Sequence, residues 1–307
     1  MKRFIKNVLN EFLWRVASIR MTPAEKARIS KLRKEISGLP SIPISSDASE
    51  AEKVWLQNRI ELRKQILWRD PRIFLQWDVV NRTMFHECRQ TELEFLKKMS
   101  NWEDLRKYLT EDSIGNPKKF ASMPESSGNL IHHLYSVSRF LDVYPVSVSK
   151  ISQVVEFGGG YGSMARLFYK MGFNGRYVIF DLPEFVALQE FFLSSLGIDV
   201  SIFRQPTREK GVVILTDIED FRKQCAFEQT DLFIATWSIS ESPLELRETI
   251  LKSVEGAQYW LIAYQKRFQD IDNIDYFKKY VGTSQREWKS FGIEHLPGQY
   301  YAFGSKK

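Results

Sequence analysis

The sequence predicts an α/β protein: a doubly wound, mostly parallel sheet that ends in an antiparallel hairpin, preceded by a helical N-terminal region. Three observations predict it. From residue 150 onward, short apolar strands alternate with helical segments, the pattern of repeated βαβ units. From about Ser49 to Leu109 the pattern is helical throughout. Near the end, Ile293–Leu296 and Gln299–Phe303 both alternate, and the Pro297-Gly298 link is too short for a parallel crossover.

At the start, Phe4, Ile5, Val8, Leu9, Phe12, Leu13, Val16 and Ile19 recur at helical spacing among basic residues, which makes residues 1–20 an amphipathic basic helix. Its apolar stripe has three uses: packing on the rest of the chain, packing on a second copy in a homo-oligomer, or peripheral contact with an anionic membrane face. Thr22-Pro23-Ala24-Glu25 forms a capping box with proline at the first helical position, and that helix stops at Ser37-Gly38. Leu39 to Ser46 reads as a linker. A basic helical extension over 1–45 therefore precedes a helical region over 46–148, expected to shape a substrate site. Asp70-Pro71 marks a restart within that region, and Ser100-Asn101-Trp102-Glu103 reads as another capping box. Five of the eight tryptophans (Trp14, Trp55, Trp68, Trp77 and Trp102) lie before residue 110. Helical spacing assigns most to the core and leaves one or two for stacking on an apolar ligand face. Residues 111–128, rich in Gly, Pro, Ser and Lys, read as a lid or as a connector to a helix over Asn129–Leu141 that carries His132-His133.

The third part, residues 149–307, holds the alternation. Ile151–Phe157 is the first strand and Ser163–Met171 the first helix. Arg176–Phe180 and Pro183–Leu196 form the second pair. Val200–Phe203 and Val212–Leu215 are both strand-like, and either serves as the third strand. Asp231–Trp237, a helix over Pro243–Val254, Tyr259–Tyr264 and a helix over Ile274–Val281 lead to the final hairpin.

Bulk properties exclude several classes. The chain has 307 residues and a net charge of +6, but residues 1–40 hold ten Lys/Arg against three Glu, a balance of +7 that leaves the remainder at −1. A generic nucleic-acid surface is not expected. Cys88 and Cys225 lie far apart without metal-ligand spacing, which suits a reducing, cytoplasmic setting. No run of eighteen apolar residues is present, and polar residues interrupt the first twenty, so neither a membrane span nor a secretory signal is expected.

The chemistry is expected at the ends of the first strands. Val154-Val155-Glu156-Phe157 runs into Gly158-Gly159-Gly160-Tyr161-Gly162 and then a helix, and Asp181 closes the next strand. Glycines let backbone approach a cofactor closely, and an acid after the second strand can accept both ribose hydroxyls of an adenosine. Such a turn serves NAD, FAD and S-adenosylmethionine (SAM) alike. Glu156 favours SAM, because an acid suits a cationic aminoacyl tail and repels a pyrophosphate. Ser163, where a dinucleotide fingerprint wants glycine or alanine, and the terminal hairpin point the same way. The expected architecture is thus the class I methyltransferase Rossmann-like sheet of seven strands. Glu156, Gly158, Gly160, Asp181 and Leu182 are the expected cofactor contacts, with Asp217 joining them if Val212–Thr216 is the third strand. The tip Trp237-Ser238-Ile239-Ser240-Glu241 is expected to face the transferred methyl group.

Methylation of a hydroxyl needs alignment and a base. His133, His132 and Glu241 are the candidates. Adjacent helical residues point about 100° apart, so only one histidine of the pair faces the site. A metal route through Asp270, Asp272 and Asn273 lacks a partner aspartate after the fourth strand, and no metal is expected.

Together, Glu156-Phe157-Gly158-Gly159-Gly160-Tyr161-Gly162, Phe180-Asp181-Leu182-Pro183-Glu184 with Leu188-Gln189, and Trp237-Ser238-Ile239-Ser240-Glu241 resemble the bacterial sugar O-methyltransferases of the NanM-like type. Asn129-Leu130-Ile131-His132-His133-Leu134-Tyr135 is a weaker echo. The resemblance covers roughly residues 125–305. It implies a SAM-dependent, cytoplasmic bacterial enzyme acting on a glycan or nucleotide-sugar hydroxyl. A different small hydroxylated metabolite, or a scaffold that keeps the fold without turnover, are the alternatives.

Overall fold

Apolar runs such as Val154-Val155 and Tyr177-Val178-Ile179-Phe180 lack the polar alternation of a half-exposed strand, as befits parallel strands covered on both faces. The computed structural model, which describes residues 21–42, 48–85, 88–201 and 210–307, bears this out. The amphipathic basic helix expected over residues 1–20 lies outside the described residues.

The main sheet comprises β1 (Gln153–Phe157), β2 (Arg176–Phe180), β3 (Val200–Ser201), β4 (Gly211–Leu215), β5 (Leu232–Thr236), β6 (Tyr259–Gln265), β7 (Glu287–Gly292) and β8 (Gln299–Ser305). They lie in the order β7-β8-β6-β5-β1-β2-β4-β3. Every neighbour pair is parallel except those made by β8, which runs antiparallel to both β6 and β7. One antiparallel strand inserted beside an otherwise parallel doubly wound sheet is the class I methyltransferase Rossmann-like arrangement. Both third-strand candidates belong to the sheet: β4 pairs with β2, and the two described residues of β3 add an eighth, edge strand to the seven expected.

The first arm of the hairpin begins six residues earlier than its alternation suggests, while the second begins at Gln299 as expected. Gly292 pairs with Tyr300, and Ile293–Leu296 lies in the connection, folded back by Ile293 N–H to Gln299 O (2.8 Å) and Leu296 N–H to Ile293 O (2.9 Å). Ile293 is buried within that connection, so its apolar character reflects packing of a turn rather than strand alternation.

Eleven helices are described: α1 (Pro23–Gly38), α2 (Glu50–Trp68), α3 (Asp78–Thr83), α4 (Gln90–Lys98), α5 (Trp102–Tyr108), α6 (Gly128–Val143), α7 (Ser163–Lys170), α8 (Pro183–Ser195), α9 (Ile218–Phe227), α10 (Leu244–Ser253) and α11 (Asn273–Thr283). The Thr22 and Ser49 capping boxes start α1 and α2. The box expected at Ser100 does not form: Asn101 precedes α5 with φ −101° and makes no side-chain cap bond.

Strand residues alternate strictly between two cores. Val154, Tyr177, Ile179 and Ile214 face one, which α1, α2, α6, α7 and α8 cover. Val155, Val178, Val213 and Phe233 face the other, under α9, α10 and α11. The N-terminal helices thus share one continuous core with the first face of the sheet. Glu156 has the parity of Val154, so its carboxylate points to that same side.

Candidate active site

The strand order reverses between β1 and β5, and in open α/β sheets the crevice beyond the strand ends at such a point takes the ligand. A cavity of about 720 Å³ opens there. On its floor the chain leaves β1 through Gly158 (φ +75°) and Gly160 (φ +59°), and Gly162 (φ +93°) sits at the N-cap of α7. Left-handed backbone at three positions is what glycine tolerates and other residues resist. Gly158 also lacks room: a Cβ there would lie 2.3 Å from Cβ of Ser238, at the tip of β5. The two strand tips therefore touch, and Ser238 Oγ donates to Phe157 O across the gap.

Glu156 is 2 % exposed. Tyr177 Oη donates to its Oε2 at 2.9 Å, and no other described residue engages the carboxylate. Burial pushes its pKa up to about 8, against the Tyr177 hydrogen bond and helped by the charge of Asp181. Asp181, at the end of β2, accepts from Leu182 N–H (2.7 Å) and from Gln189 Nε2 (2.7 Å). Burial raises it to about 7, while those donors and the Gly159 and Gly160 amides pull it down. Gln189 also donates to Gly160 O at 3.0 Å, so one buried amide ties the acid to the glycine turn. Glu156, Gly158, Gly160, Asp181, Leu182 and Trp237 all line the cavity. An incompletely partnered buried acid beside glycine backbone, with a second acid one strand away, fits the aminoacyl and ribose ends of an adenosyl cofactor.

The tip after β5 forms the opposite wall. Trp237 adopts φ +64°, a backbone state that is costly for a bulky residue. It is held there by its N–H to Ala263 O (2.7 Å) and its indole Nε1 to Gln299 Oε1 (2.5 Å). The 3₁₀ turn Ser238–Glu241 follows and brings the Glu241 side chain to the cavity. Burial pushes its pKa up to about 7, with Gln265 Nε2 donating at 3.2 Å as the countervailing contact. Beneath the turn lies the fully buried Arg247. Its guanidinium donates to Ser240 O and Ser242 O (both 3.1 Å) and to Asn273 Oδ1 (2.9 Å), and stacks on Tyr276. Asn273 in turn donates to Ser240 O at 3.1 Å.

Of the two adjacent histidines, His133 lines the cavity and His132 does not. His132 is 0 % exposed, and its Nδ1 lies 2.9 Å from Glu92 Oε1, which also meets His295 Nε2 at 2.7 Å. The expectation of a catalytic His132 is therefore corrected: α6 can turn one histidine to the crevice, and the other is locked into the core behind Trp237. Asp217 is corrected as well. It caps α9, its Oδ1 accepting from Glu219 and Asp220 N–H (both 2.9 Å), and Thr216 takes the cavity position instead. Asp272 likewise caps α11. Nor does any residue of 111–128 line the cavity. Asp112 pairs with Arg166, Glu111 bonds Ser127, and Lys119–Phe120 pairs antiparallel with Met123–Ser127, so the segment is a structured connector.

Neither a family model nor a curated protein matches the chain. Among solved structures it is similar to an rRNA methylase from Streptococcus thermophilus, with 15 % identity, 56 % of this chain and 95 % of the other covered, and a TM-score of 0.42. A magnesium protoporphyrin IX methyltransferase from Synechocystis PCC 6803 with bound SAM shares 9 % identity over 72 % of this chain and all of its own, TM-score 0.42. An S-adenosylmethionine-dependent methyltransferase from Clostridium acetobutylicum shares 10 % identity over 56 % and 91 %, TM-score 0.41. Overlap this slight carries no weight for activity, and the strand order itself sets the fold.

The cavity roof comes from residues that motif reading passes over. Trp55, Asn58 and Arg59 on α2, and Arg82 to Phe85 at and after the end of α3, close it from above. Met84 Cβ packs over Gly160, 3.6 Å from where a Cβ would be. Trp55 Nε1 donates to Glu241 O at 3.3 Å, linking roof to tip. The signal was the i, i+3, i+4 spacing of Trp55, Asn58 and Arg59, which puts them on one helical face.

Proposed function

We propose that this protein is a SAM-dependent O-methyltransferase acting on a hydroxyl of a small acceptor, a glycan or nucleotide sugar. The observation that carries the reading is the convergence of Glu156, Asp181, His133 and Glu241 on one crevice at the switch point of a class I methyltransferase sheet. SAM, when bound, supplies a methyl group activated by a sulfonium. The chain's residues do the rest. Glu156 receives the cationic tail, Asp181 the ribose hydroxyls, and the glycine turn the close backbone approach. Glu241 holds the place of the base that removes the hydroxyl proton, its pKa near 7 matched to neutral operation. His133, which lines the same crevice, stands as the second proton-handling group.

A small acceptor is favoured by the roofed cavity and by the absence of excess positive charge after residue 40. A sugar is favoured by Trp55, whose ring faces the cavity beside the Glu241 turn and offers an apolar platform, and by the motif resemblance. The test is calorimetric titration of SAM, followed by methyl transfer to a panel of sugars and nucleotide sugars. Asp181→Ala should weaken SAM binding at least about a hundredfold, the scale of losing a charged, doubly engaged acceptor. Undiminished binding in that variant would overturn the cofactor placement, and binding without turnover across the panel would favour a scaffold.

A further inference from the structure

The roof of the cavity has a charge character of its own. The buried Glu184, 0 % exposed at the start of α8, accepts from two guanidiniums: Arg59 through Nε (2.7 Å) and Nη2 (3.4 Å), and Arg63 through Nε. One carboxylate balances one cation, so the pair leaves a positive charge over. Arg63 spends its remaining reach on Pro40 O at 2.7 Å and does not line the cavity. Arg59 does, and its Nη1 has no acceptor among the described residues. Next to it, Asn58 Oδ1 accepts from Arg82 Nη2 at 3.0 Å, and Glu61 Oε2 accepts from the same nitrogen at 2.8 Å. That leaves Arg82 Nε and Nη1 and the Asn58 amide nitrogen without acceptors among the described residues. Glu52 is the remaining acid on this side, and its Oε2 is turned back onto Ser49 N–H and Oγ at the start of α2. The acids Glu156, Asp181 and Glu241 belong to the floor and the tip.

Beside the Glu156, Asp181 and Glu241 carboxylates, the crevice is thus lined by Arg59 and Arg82, whose guanidiniums pair with Glu184 and Glu61 and keep further N–H donors that no described residue engages. Guanidinium forks match the planar oxygens of carboxylate and phosphate. We propose that the acceptor carries an anionic group, phosphate or carboxylate, received by Arg59, Asn58 and Arg82. This rests on the methyltransferase reading, in which the floor holds the cofactor. It adds a constraint that reading lacks: neutral acceptors are poor substrates.

The experiment uses the full chain saturated with S-adenosylhomocysteine and titrates it with inorganic pyrophosphate, with glucuronate and, as the neutral control, with glucose. The variants are Arg82→Gln, which leaves Glu184 untouched, and Arg59→Gln, which leaves Arg63 to pair with it. We expect pyrophosphate or glucuronate to bind in preference to glucose, the stronger of the two telling phosphate from carboxylate. Each variant should weaken that anion roughly tenfold to a hundredfold, the scale of a charged hydrogen bond, with S-adenosylhomocysteine affinity held within about twofold. A parallel loss of S-adenosylhomocysteine affinity would overturn the proposal, because the guanidiniums would then serve the cofactor's own carboxylate. Equal binding of glucose and the anions would also overturn it. A wild-type chain that bound no S-adenosylhomocysteine would sink the methyltransferase reading beneath it.

Discussion

Glu241 shows how one residue acquires a role from its surroundings. An exposed glutamate is ionised well below neutrality and is a weak base. Here burial raises the carboxyl to about 7, with only the Gln265 amide opposing. A base must be deprotonated to act, so turnover should rise with pH through about 7 and level above it. Glu241→Gln should lower kcat roughly a hundredfold or more, the usual weight of general base catalysis, while SAM affinity stays within about twofold. The pH–rate profile of the variant should lose that rising limb. If the limb persists in Glu241→Gln and disappears in His133→Ala, the base is the histidine. At the same scale, the motifs read from sequence pick out residues that line the crevice, Glu156, Gly158, Gly160, Asp181 and Trp237, because tight turns and strand ends demand particular residue types. They also pick out Asp217 and His132, which do not line it. An aspartate after a strand serves equally as a helix cap, and which of two adjacent histidines faces a crevice depends on how the helix is rolled, which tertiary packing decides.

Among the elements, the 3₁₀ turn Ser238–Glu241 depends most on its support. Arg247 has no carboxylate partner among the described residues, and burial lowers its pKa to about 10. Its charge is spread over the Ser240 and Ser242 carbonyls, Asn273 and the Tyr276 ring. Arg247→Met keeps much of the volume but removes the guanidinium from both carbonyls, leaving Ser240 O to Asn273 alone. The turn should then loosen, lowering kcat about tenfold or more while SAM affinity changes little, since the glycine turn and β2 are untouched. Arg247→Lys should fail to restore the rate, because a single ammonium cannot span two carbonyls and an amide. Steady-state kinetics beside calorimetry separates these outcomes, and a rate equal to wild type in Arg247→Met would show that the turn stands without its clamp. Elements with strong local signals were legible: the Thr22 capping box, the Pro183 start of α8 and the parallel strands follow the sequence closely. The hairpin slipped because Ile293 is apolar for burial in a turn. The roof escaped notice because α2 carries ordinary helical periodicity, and only the packed fold shows that its Trp55–Arg59 face looks over the glycine turn.

At the scale of the molecule, the sheet divides two cores, and the crevice opens on the side where the N-terminal helices join the first of them. Acids on its walls are desolvated by that covering, which makes the site a source of pH-dependent stability. Glu156 has an ordinary value of 4.5 and a folded value of about 8. Between these the folded state binds more protons than the unfolded chain, so stability falls as pH rises across the window, by up to about 1.4 kcal/mol per pH unit for one proton. Glu92 and Glu184 are shifted downward, so their contribution is lost only as pH falls below the same ordinary value of 4.5, outside this range. Asp181 and Glu241 rise to about 7 and titrate within the window, but they are common to the wild type and to Glu156→Gln. Urea denaturation at a series of pH values from about 5 to 8 should therefore show a shallower decline for Glu156→Gln than for wild type, with the variant the more stable at the alkaline end. The same comparison in saturating S-adenosylhomocysteine should narrow the gap, because the ligand's ammonium favours the ionised carboxylate that burial opposes. Equal slopes in the two proteins would mean that Glu156 is solvated, and the cationic end of the cofactor would then need another partner.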